Sequence, residues 1–305
     1  FDAGKGHVFK IGVGYEWRPP MANTAFISPE ICNDYVLNLG DEHVFSSEFS
    51  YQYQNAWMHA NVNAYYSRLD HVTEWQNFYN DDENSFTYLS MTGIEKEYYG
   101  IEAGLDFKVA SFLNFKAIGT ISDAKNINNA NVNYMLSKSA EVVRDYAYIK
   151  DMRESGTPLT IGSLALDFHK SGWFVNLNAN WYDRIYLSYS PSYRYKSSLK
   201  NRDMLFNDEP LPGSVDQAKG HGGWMVDGSI GKSIRLKHGS LNFNLMITNI
   251  LNNRKIVSGG YEQSRSDYTV NKENEAKDRV YKFSKNPKKY YVFGTNGMFQ
   301  VSYRF

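Results

Sequence analysis

Apolar and polar residues take turns, one by one, in ribbons of about ten residues that recur from one end of the chain to the other. Residues 7–18 set Phe9, Ile11, Val13, Tyr15 and Trp17 on one face and Lys10, Gly12, Gly14, Glu16 and Arg18 on the other. This is the two-residue period of a β-strand, not the 3.6-residue period of a helix. The pattern returns over residues 45–53, 58–66, 99–107, 173–181 and 241–248, and over 113–117, where it weakens at Ile118. Two ribbons read less cleanly: Leu164, Leu166 and Phe168 follow Pro158, and Val226, Ile230 and Ile234 share their apolar side with Lys232. Asn178, Asn180, Asn242 and Asn244 hold alternate positions, a poor choice for a soluble core.

The links between ribbons carry as much information as the ribbons. Residues 54–56, 110–111, 169–172 and 237–240 read as short turns, whereas 19–44, 69–96, 125–157, 187–223 and 256–289 read as long loops. Short and long links alternate strictly, which collects every long loop at one end of the sheet. A soluble sandwich has no reason to do so, but an outer-membrane barrel keeps its turns in the periplasm and its long loops outside. The reading is therefore all-β: a transmembrane antiparallel β-barrel with about ten strands here, each near the 9–11 residues that cross a bilayer at a tilt. An even count puts both chain ends in the periplasm, and a closed barrel satisfies the backbone polar groups that lipid cannot. Aromatic residues at strand ends, among them Tyr15, Trp17, Tyr65, Tyr66, Tyr98, Tyr99, Trp173, Trp181, Tyr182, Trp224, Tyr290 and Tyr291, read as the two girdles at headgroup level.

Composition removes the competing classes. The 305 residues carry 33 basic and 33 acidic side chains, so a basic nucleic-acid footprint is absent. A hydrophobic share of 42% excludes disorder, and a mean hydropathy of -0.54 goes with the absence of any apolar run near the ~18 residues of a membrane helix. Cys32 is alone, so no internal disulfide forms. The opening Phe1-Asp2-Ala3-Gly4-Lys5-Gly6 shows neither an initiator Met nor a signal segment and reads as part of a longer precursor.

The last ribbon sets Phe293, Thr295, Gly297, Phe299, Val301, Tyr303 and Phe305 on one side and Asn296, Met298, Gln300, Ser302 and Arg304 on the other. A terminal aromatic strand of this kind resembles the assembly signal of outer-membrane proteins, carried here by Phe299, Val301, Tyr303 and Phe305. More broadly, the chain resembles the carboxyl-terminal part of TonB-dependent outer-membrane transporters. The matching stretches are Tyr15-Glu16-Trp17-Arg18-Pro19-Pro20, Ser28-Pro29-Glu30, Glu48-Phe49-Ser50-Tyr51-Gln52-Tyr53, Thr92-Gly93-Ile94, Tyr99-Gly100-Ile101-Glu102, and Asn242-Phe243-Asn244-Leu245 through Thr248-Asn249-Ile250-Leu251-Asn252. Gly259-Gly260-Tyr261-Glu262-Gln263 resembles the nutrient-importer branch. The resemblance implies a barrel of roughly 22 strands around an amino-terminal plug. Residues 1–305 would be its carboxyl-terminal portion, with the plug and earlier strands lying outside them. It also implies TonB, reached through that missing region, as a partner, together with the barrel-assembly machinery, outer-membrane lipid or lipopolysaccharide, and possible surface lipoproteins. No cofactor, metal or nucleic acid is implied.

Candidate sites follow. The stretch from Trp181 to Tyr195 interleaves rings with charges, offering stacking faces and orienting hydrogen bonds to a ligand at the rim. Tyr182, Asp183, Tyr186, Tyr189, Tyr193 and Arg194 are the candidates, set against a girdle that simply continues into a packed loop. Gly12-Val13-Gly14 lacks the third glycine of a dinucleotide fingerprint, and Gly231-Lys232-Ser233 lacks the first glycine of a phosphate loop. His71 with Asp70 or Glu74 is a weak acid-base or metal pair, and Asp81-Asp82-Glu83 a weak Ca²⁺ site. Lys285, Lys288 and Lys289 are positioned to meet lipopolysaccharide phosphates. The expected function is energy-coupled nutrient uptake across the outer membrane without covalent chemistry. The alternatives are a self-contained ten-strand hydrolase using Asp70, His71 and Asp183, and a passive porin.

Overall fold

Each alternating ribbon is a strand, and strands adjacent in sequence pair side by side. The computed structural model describes residues 1–28, 30–80, 84–139, 141–262, 268–270, 277–279 and 287–305. Its main strands are β1 (Asp2–Gly4), β2 (His7–Arg18), β3 (Glu42–Gln54), β4 (Met58–Asn80), β5 (Ser85–Ala110), β6 (Leu113–Asn126), β7 (Ala130–Leu136), β8 (Val142–Ala147), β9 (Thr160–Lys170) and β10 (Trp173–Asp183). Further on come β11 (Leu205–Phe206), β12 (Glu209–Pro210), β13 (Gly223–Leu236), β14 (Gly239–Thr248), β15 (Val257–Glu262), β16 (Tyr268–Val270), β17 (Lys277–Arg279), β18 (Pro287–Tyr291) and β19 (Asn296–Arg304). A five-residue helix, α1 (Lys196–Lys200), sits between β10 and β11. Among the described residues no helix is long and apolar enough to cross a membrane.

One antiparallel sheet runs β1-β2-β3-β4-β5-β6-β9-β10-β13-β14-β19. Without the three-residue β1, ten long strands form this wall, the number that the alternation predicts. Registers keep the oily residues on one side across the whole sheet. Phe49 stands between Ile11 and Ala64, Ala64 beside Ile101, and Ile101 beside Ile121. Farther along, Leu177 pairs with Leu166, Ile230 lies between Val175 and Leu245, and Leu245 pairs with Phe299. Ile11 is 78% exposed, Ile121 66% and Phe299 64%, an inside-out arrangement that water would not tolerate over so many residues. The other side is wet: Lys10, Ser50, Asn63, Glu102 and Thr120 follow one another across β2 to β6. Lys232, the interruption in β13, bends to the turn end, where Nζ donates to the Ser171 carbonyl (2.8 Å) and lies over the Trp173 ring. It thereby keeps its charge out of the oily band.

The two outer edges, β1 with β2 and β19, share no pair with each other. At the carboxyl end a knot of asparagines fixes the last strand. Asn249 Nδ2 donates to the carbonyls of Asn253 (3.0 Å) and Phe293 (2.8 Å), Asn249 Oδ1 accepts from the Asn253 amide, and Asn252 Oδ1 accepts from the Thr295 amide. Both asparagines sit in the left-handed region (φ 49° and 50°), which their short polar side chains allow. The regular strand therefore begins at Asn296, three residues later than Phe293.

Two expected loops turn out to be strand. Residues 69–96 are not a connection: β4 and β5 run on past bulges at Leu69–Val72 and Val72–Glu74 to Asn80 and Ser85. Residues 125–157 contain β7 and β8, which add to the extension of β5. Alternation cannot reveal these pieces, because the bulges exchange faces and the extension is covered on both sides over residues 89–92. Ser85, Thr87, Leu89, Ser90, Met91, Thr92 and Ile94 are all buried. Here, beyond the wall, lies the main dry core, built from Leu89, Met91, Ile94, Val132, Ile149, Met152 and Tyr195. Tyr290 and Tyr291 also fall outside the wall, in a two-stranded sheet of β15 and β18, so they are not part of a girdle.

Candidate functional site

The long-loop end of the wall carries a folded cap. The segment between β10 and β13 lies over the β4–β5–β7–β8 extension, contributing Tyr195 to its core, and its backbone joins the segment after β14: Ser188 donates to the Gly260 carbonyl (2.9 Å) and Glu262 donates to the Ser188 carbonyl (2.8 Å). One ion pair latches the two segments. Arg194 Nη1 and Nη2 donate to Glu262 Oε2 and Oε1 (2.7 and 2.9 Å), with side-chain exposures of 0% and 1%. The carbonyls of Ser190, Val215 and Asp216 take the remaining Arg194 donors, and the amides of Ser190 and Ala218 donate back to Glu262. A buried pair of this kind holds its place only when nearly every donor and acceptor is used, as here.

Beside the latch, Lys96 of β5 bridges Glu74 (2.5 Å) and Glu154 (2.6 Å), and the Tyr98 hydroxyl donates to Glu154 (2.9 Å). Asn126 Nδ2 reaches the Tyr189 hydroxyl (3.1 Å) and the Ile149 carbonyl. Glu74, Lys96, Asn126, Glu154 and Tyr189 line a cavity of about 90 Å³. A larger polar cavity, about 270 Å³, opens between the extension and the cap, with Asn80, Thr87, Tyr134, Ser192, Tyr193 and Tyr195 on its walls. Tyr134 and Tyr195 stack at 5.1 Å, and burial pushes the Tyr195 hydroxyl well above its ordinary pKa. Burial pushes Tyr189 up as well, assisted by the charge of Glu74.

Below the cap the inner face of the wall is a ladder of hydrogen bonds. The Ser50 hydroxyl lies within hydrogen-bond reach of Glu48 and Asn63, Asn114 donates to Asp106, Asn176 donates to Asp167, and the Ser163 hydroxyl lies within reach of Asn178 and Asn180. Lys116 lies 3.0 Å from Asp167. Such a surface offers many weak, exchangeable polar contacts.

The rim candidates occupy several environments. Tyr186, Tyr193 and Arg194 are buried, Tyr182 and Tyr189 are half-buried, and only Asp183 is exposed. Tyr186 lies beneath Arg153 and Lys219, and Tyr189 beneath Arg194, so these rings are spent on the cap's own cations. Tyr189 and Tyr193 nonetheless line the two cavities. Asp70 accepts from Arg68 (2.9 Å), and the ring of His71 stands 5.8 Å from that of His43. Asp183 belongs to β10, four strands away from β4, about 19 Å at ~4.8 Å per strand. The structure does not bring Asp70, His71 and Asp183 together. Asp81, Asp82, Glu83 and Lys285 lie outside the described residues, whereas Lys288 is exposed and Lys289 half-buried on β18. Among the described residues no group of three His, Cys, Asp or Glu side chains is placed to hold a metal. Glu262, Lys96 and Glu154 were not legible as site residues, and Glu74, read in sequence as a partner of His71, instead takes Lys96. Their partners lie 22 to 68 positions away, and no local motif marks such pairings.

With this geometry in place, the solved structures decide the architecture. The copper transporter OprC superposes with a TM-score of 0.58 over 99% of this chain and 37% of its own, at 12% identity. The fold is that of an outer-membrane β-barrel. The FpvAI–pyocin S2 complex (TM-score 0.57, 13% identity) and P. aeruginosa FpvA bound to heterologous pyoverdines (0.54, 12%) give the same answer over 99% of the chain. The chain spans 32% and 31% of those two, about a third of the length of each of the three neighbours. No protein-family model matches it, and no curated protein sequence does. As an outer-membrane barrel protein, it sets its oily face against hydrocarbon and its girdle rings, such as Trp181 and Trp224 (6.4 Å apart), at the headgroup level.

Proposed function

We propose that this protein is a wall and rim element of a TonB-dependent transporter that draws a nutrient across the outer membrane. The observation that carries this reading is the open wall. Ten long strands have a continuous polar inner face, and their two edges do not pair with each other. A barrel seals only when every edge is paired, so this sheet works with further strands, as a larger barrel of roughly 22 provides. The sequence stretches from Tyr15 to Pro20 and from Asn242 to Asn252 support the family, and the likeness to the copper transporter OprC and to pyoverdine-bound FpvA supports transport as the class of activity. A peptide, glycan or metal chelate enters past the cap, exchanges hydrogen bonds along the inner ladder, and is released when TonB acts on a plug. No bond is made or broken in the ligand.

Two measurements test this. In the full-length protein, a cysteine pair at Lys10 and Gln300 forms no cross-link, because other strands separate the edges; an efficient cross-link returns the protein to the ten-strand hydrolase or porin readings. A binding screen of peptides, glycans and metal chelates on the full-length protein supplies the labelled probe for the second. Collapsing the proton gradient in cells abolishes accumulation of that probe and spares surface binding. Accumulation that survives the collapse identifies a passive porin.

A further inference from the structure

On the outer face of the wall one row of positions lacks the bulk found elsewhere. Ala103, Gly119 and Gly162 are neighbours across β5, β6 and β9, flanked by Val62 of β4 on one side and Trp181 of β10 on the other. Gly119 lies inside β6, where glycine weakens a strand, yet it needs no left-handed backbone, and a Cβ built there meets nothing within 4 Å. Neither a turn nor a close neighbour explains the missing side chain. What it leaves is a groove of about 780 Å³ walled by Tyr99, Ile101, Ile121 and Trp181. Nine of its thirteen lining residues, among them Ile101, Ala103, Gly119 and Ile121, stand on the oily face; of the inward positions Tyr65, Gly100, Thr120 and Ile161 border it, while Glu102, Ser122 and Ser163 take no part, so the groove opens toward lipid.

We propose that this groove is a binding site for one acyl tail of an outer-leaflet lipopolysaccharide molecule. Thirteen residues line it, against the 20–30 residues per side of a stable protein interface, so its shape fits a thin hydrocarbon strand rather than another polypeptide. The leaflet follows from position. The rows of Leu105–Ala117–Leu164 and Phe107–Phe115–Leu166 separate the groove from the short-turn end, which places it in the long-loop, external half of the oily band. Directly above, Arg153 (2.8 Å) and Arg184 (3.2 Å) converge on Asp123, the residue paired with Tyr99. Arg184 spends Nη1 on the Ser122 carbonyl, and its Nε makes no hydrogen bond among the described residues. With exposed Asp183 alongside, this rim is balanced in charge and rich in donors for the phosphates and sugars of the glycolipid headgroup.

The test is native mass spectrometry of the full-length protein extracted from outer membranes in mild detergent. The wild type retains one lipopolysaccharide through detergent washes that strip other lipids, and Gly119→Leu and Ala103→Leu lose that mass increment. Gly297→Leu, which adds the same bulk to the same face outside the groove, keeps it. Heat-modifiable migration on gels confirms that each variant is a folded barrel. A photoactivatable acyl probe marks Ile101, Ile121 and Trp181 more than tenfold above Ile11 and Leu177. Retention of a phospholipid or of a second copy of the protein in place of lipopolysaccharide, equal retention in the filled variants, or even labelling along the wall overturns the proposal.

Discussion

In the wall, Ile11 and Ile121 lie open while Asn63 stands beside Glu102 and Asn114 beside Asp167 on the inner surface; under the cap, Leu89, Met91 and Ile94 are fully buried, and the buried charges of Arg194 and Lys96 meet opposite partners. The same chain thus follows two solvent rules within a few residues of β5. From about Tyr99 to its end at Ala110 that strand is dressed for hydrocarbon outside and water inside, and between Ser85 and Lys96 it folds as a water-soluble protein does. The change occurs at the bulges near Leu69–Glu74, where the register shifts and the faces are reassigned. The comparison separates what anchors the protein from what it shows to ligands, and the two halves should fail independently.

The largest effect expected is at the latch. Arg194→Ala or Glu262→Ala strands a buried charge at a cost of about 3–5 kcal/mol. Hydrogen exchange should rise across residues 184–222 and in β15, with wall strands β2 and β3 unaffected. Protection lost in the wall as well would show that cap and wall are one cooperative unit. The double variant Arg194→Met, Glu262→Leu should recover most of the loss, because it removes both charges together.

In the wall the matching experiment is a charge on the oily side. Leu164 lies mid-strand between Ala117 and Ala179. Leu164→Arg should destabilise folding into lipid vesicles by about 2–4 kcal/mol, whereas Asn178→Arg on the inner face should cost much less. Equal penalties would mean that the inner face is not wet.

How much of this could be read from the residues follows the same division. Wall strands announce themselves because lipid and water on opposite faces enforce strict alternation, as in residues 7–18 and 173–181; even Lys232 is explained by its reach to Ser171. The extension 85–94 is hidden, since its centre, residues 89–92, is buried on both faces and breaks the alternation. The Trp181–Tyr195 stretch is conspicuous in sequence, but its rings are shared between packing and cavity lining. Their packing depends on Arg153, Lys219 and Glu262, which no local pattern connects to them.

A milder perturbation distinguishes cap from wall by pH. Tyr189 and Tyr195 both have hydroxyl pKa values raised above the ordinary value near 10. A raised acid binds its proton more tightly folded than unfolded, so its contribution is fully present below pH ~10 and is lost as pH climbs past it. Protease nicking of residues 184–222 should therefore increase above pH ~10 while heat-modifiable migration of the barrel persists. Tyr195→Phe should lessen this alkaline sensitivity. If the wall melts at the same pH as the cap, the two halves are not independent.

The smallest stability effect expected is at Lys116, and it is the one that bears most on function. Its Nζ lies 3.0 Å from Asp167, with side-chain exposures of 45% and 21%, so water already screens the pair. Lys116→Ala should change folding by less than about 1 kcal/mol, the usual worth of an exposed ion pair. Asp167 also keeps the hydrogen bond from Asn176. Yet the substitution leaves a net negative charge on the inner ladder, and passage of an anionic ligand should slow while that of a cationic one quickens. A neutral result on stability with a charge-dependent change in flux is what a surface selected for passing ligands gives. A loss of several kcal/mol would instead mean that protein packs against this part of the lumen, and the path would have to run elsewhere along the wall.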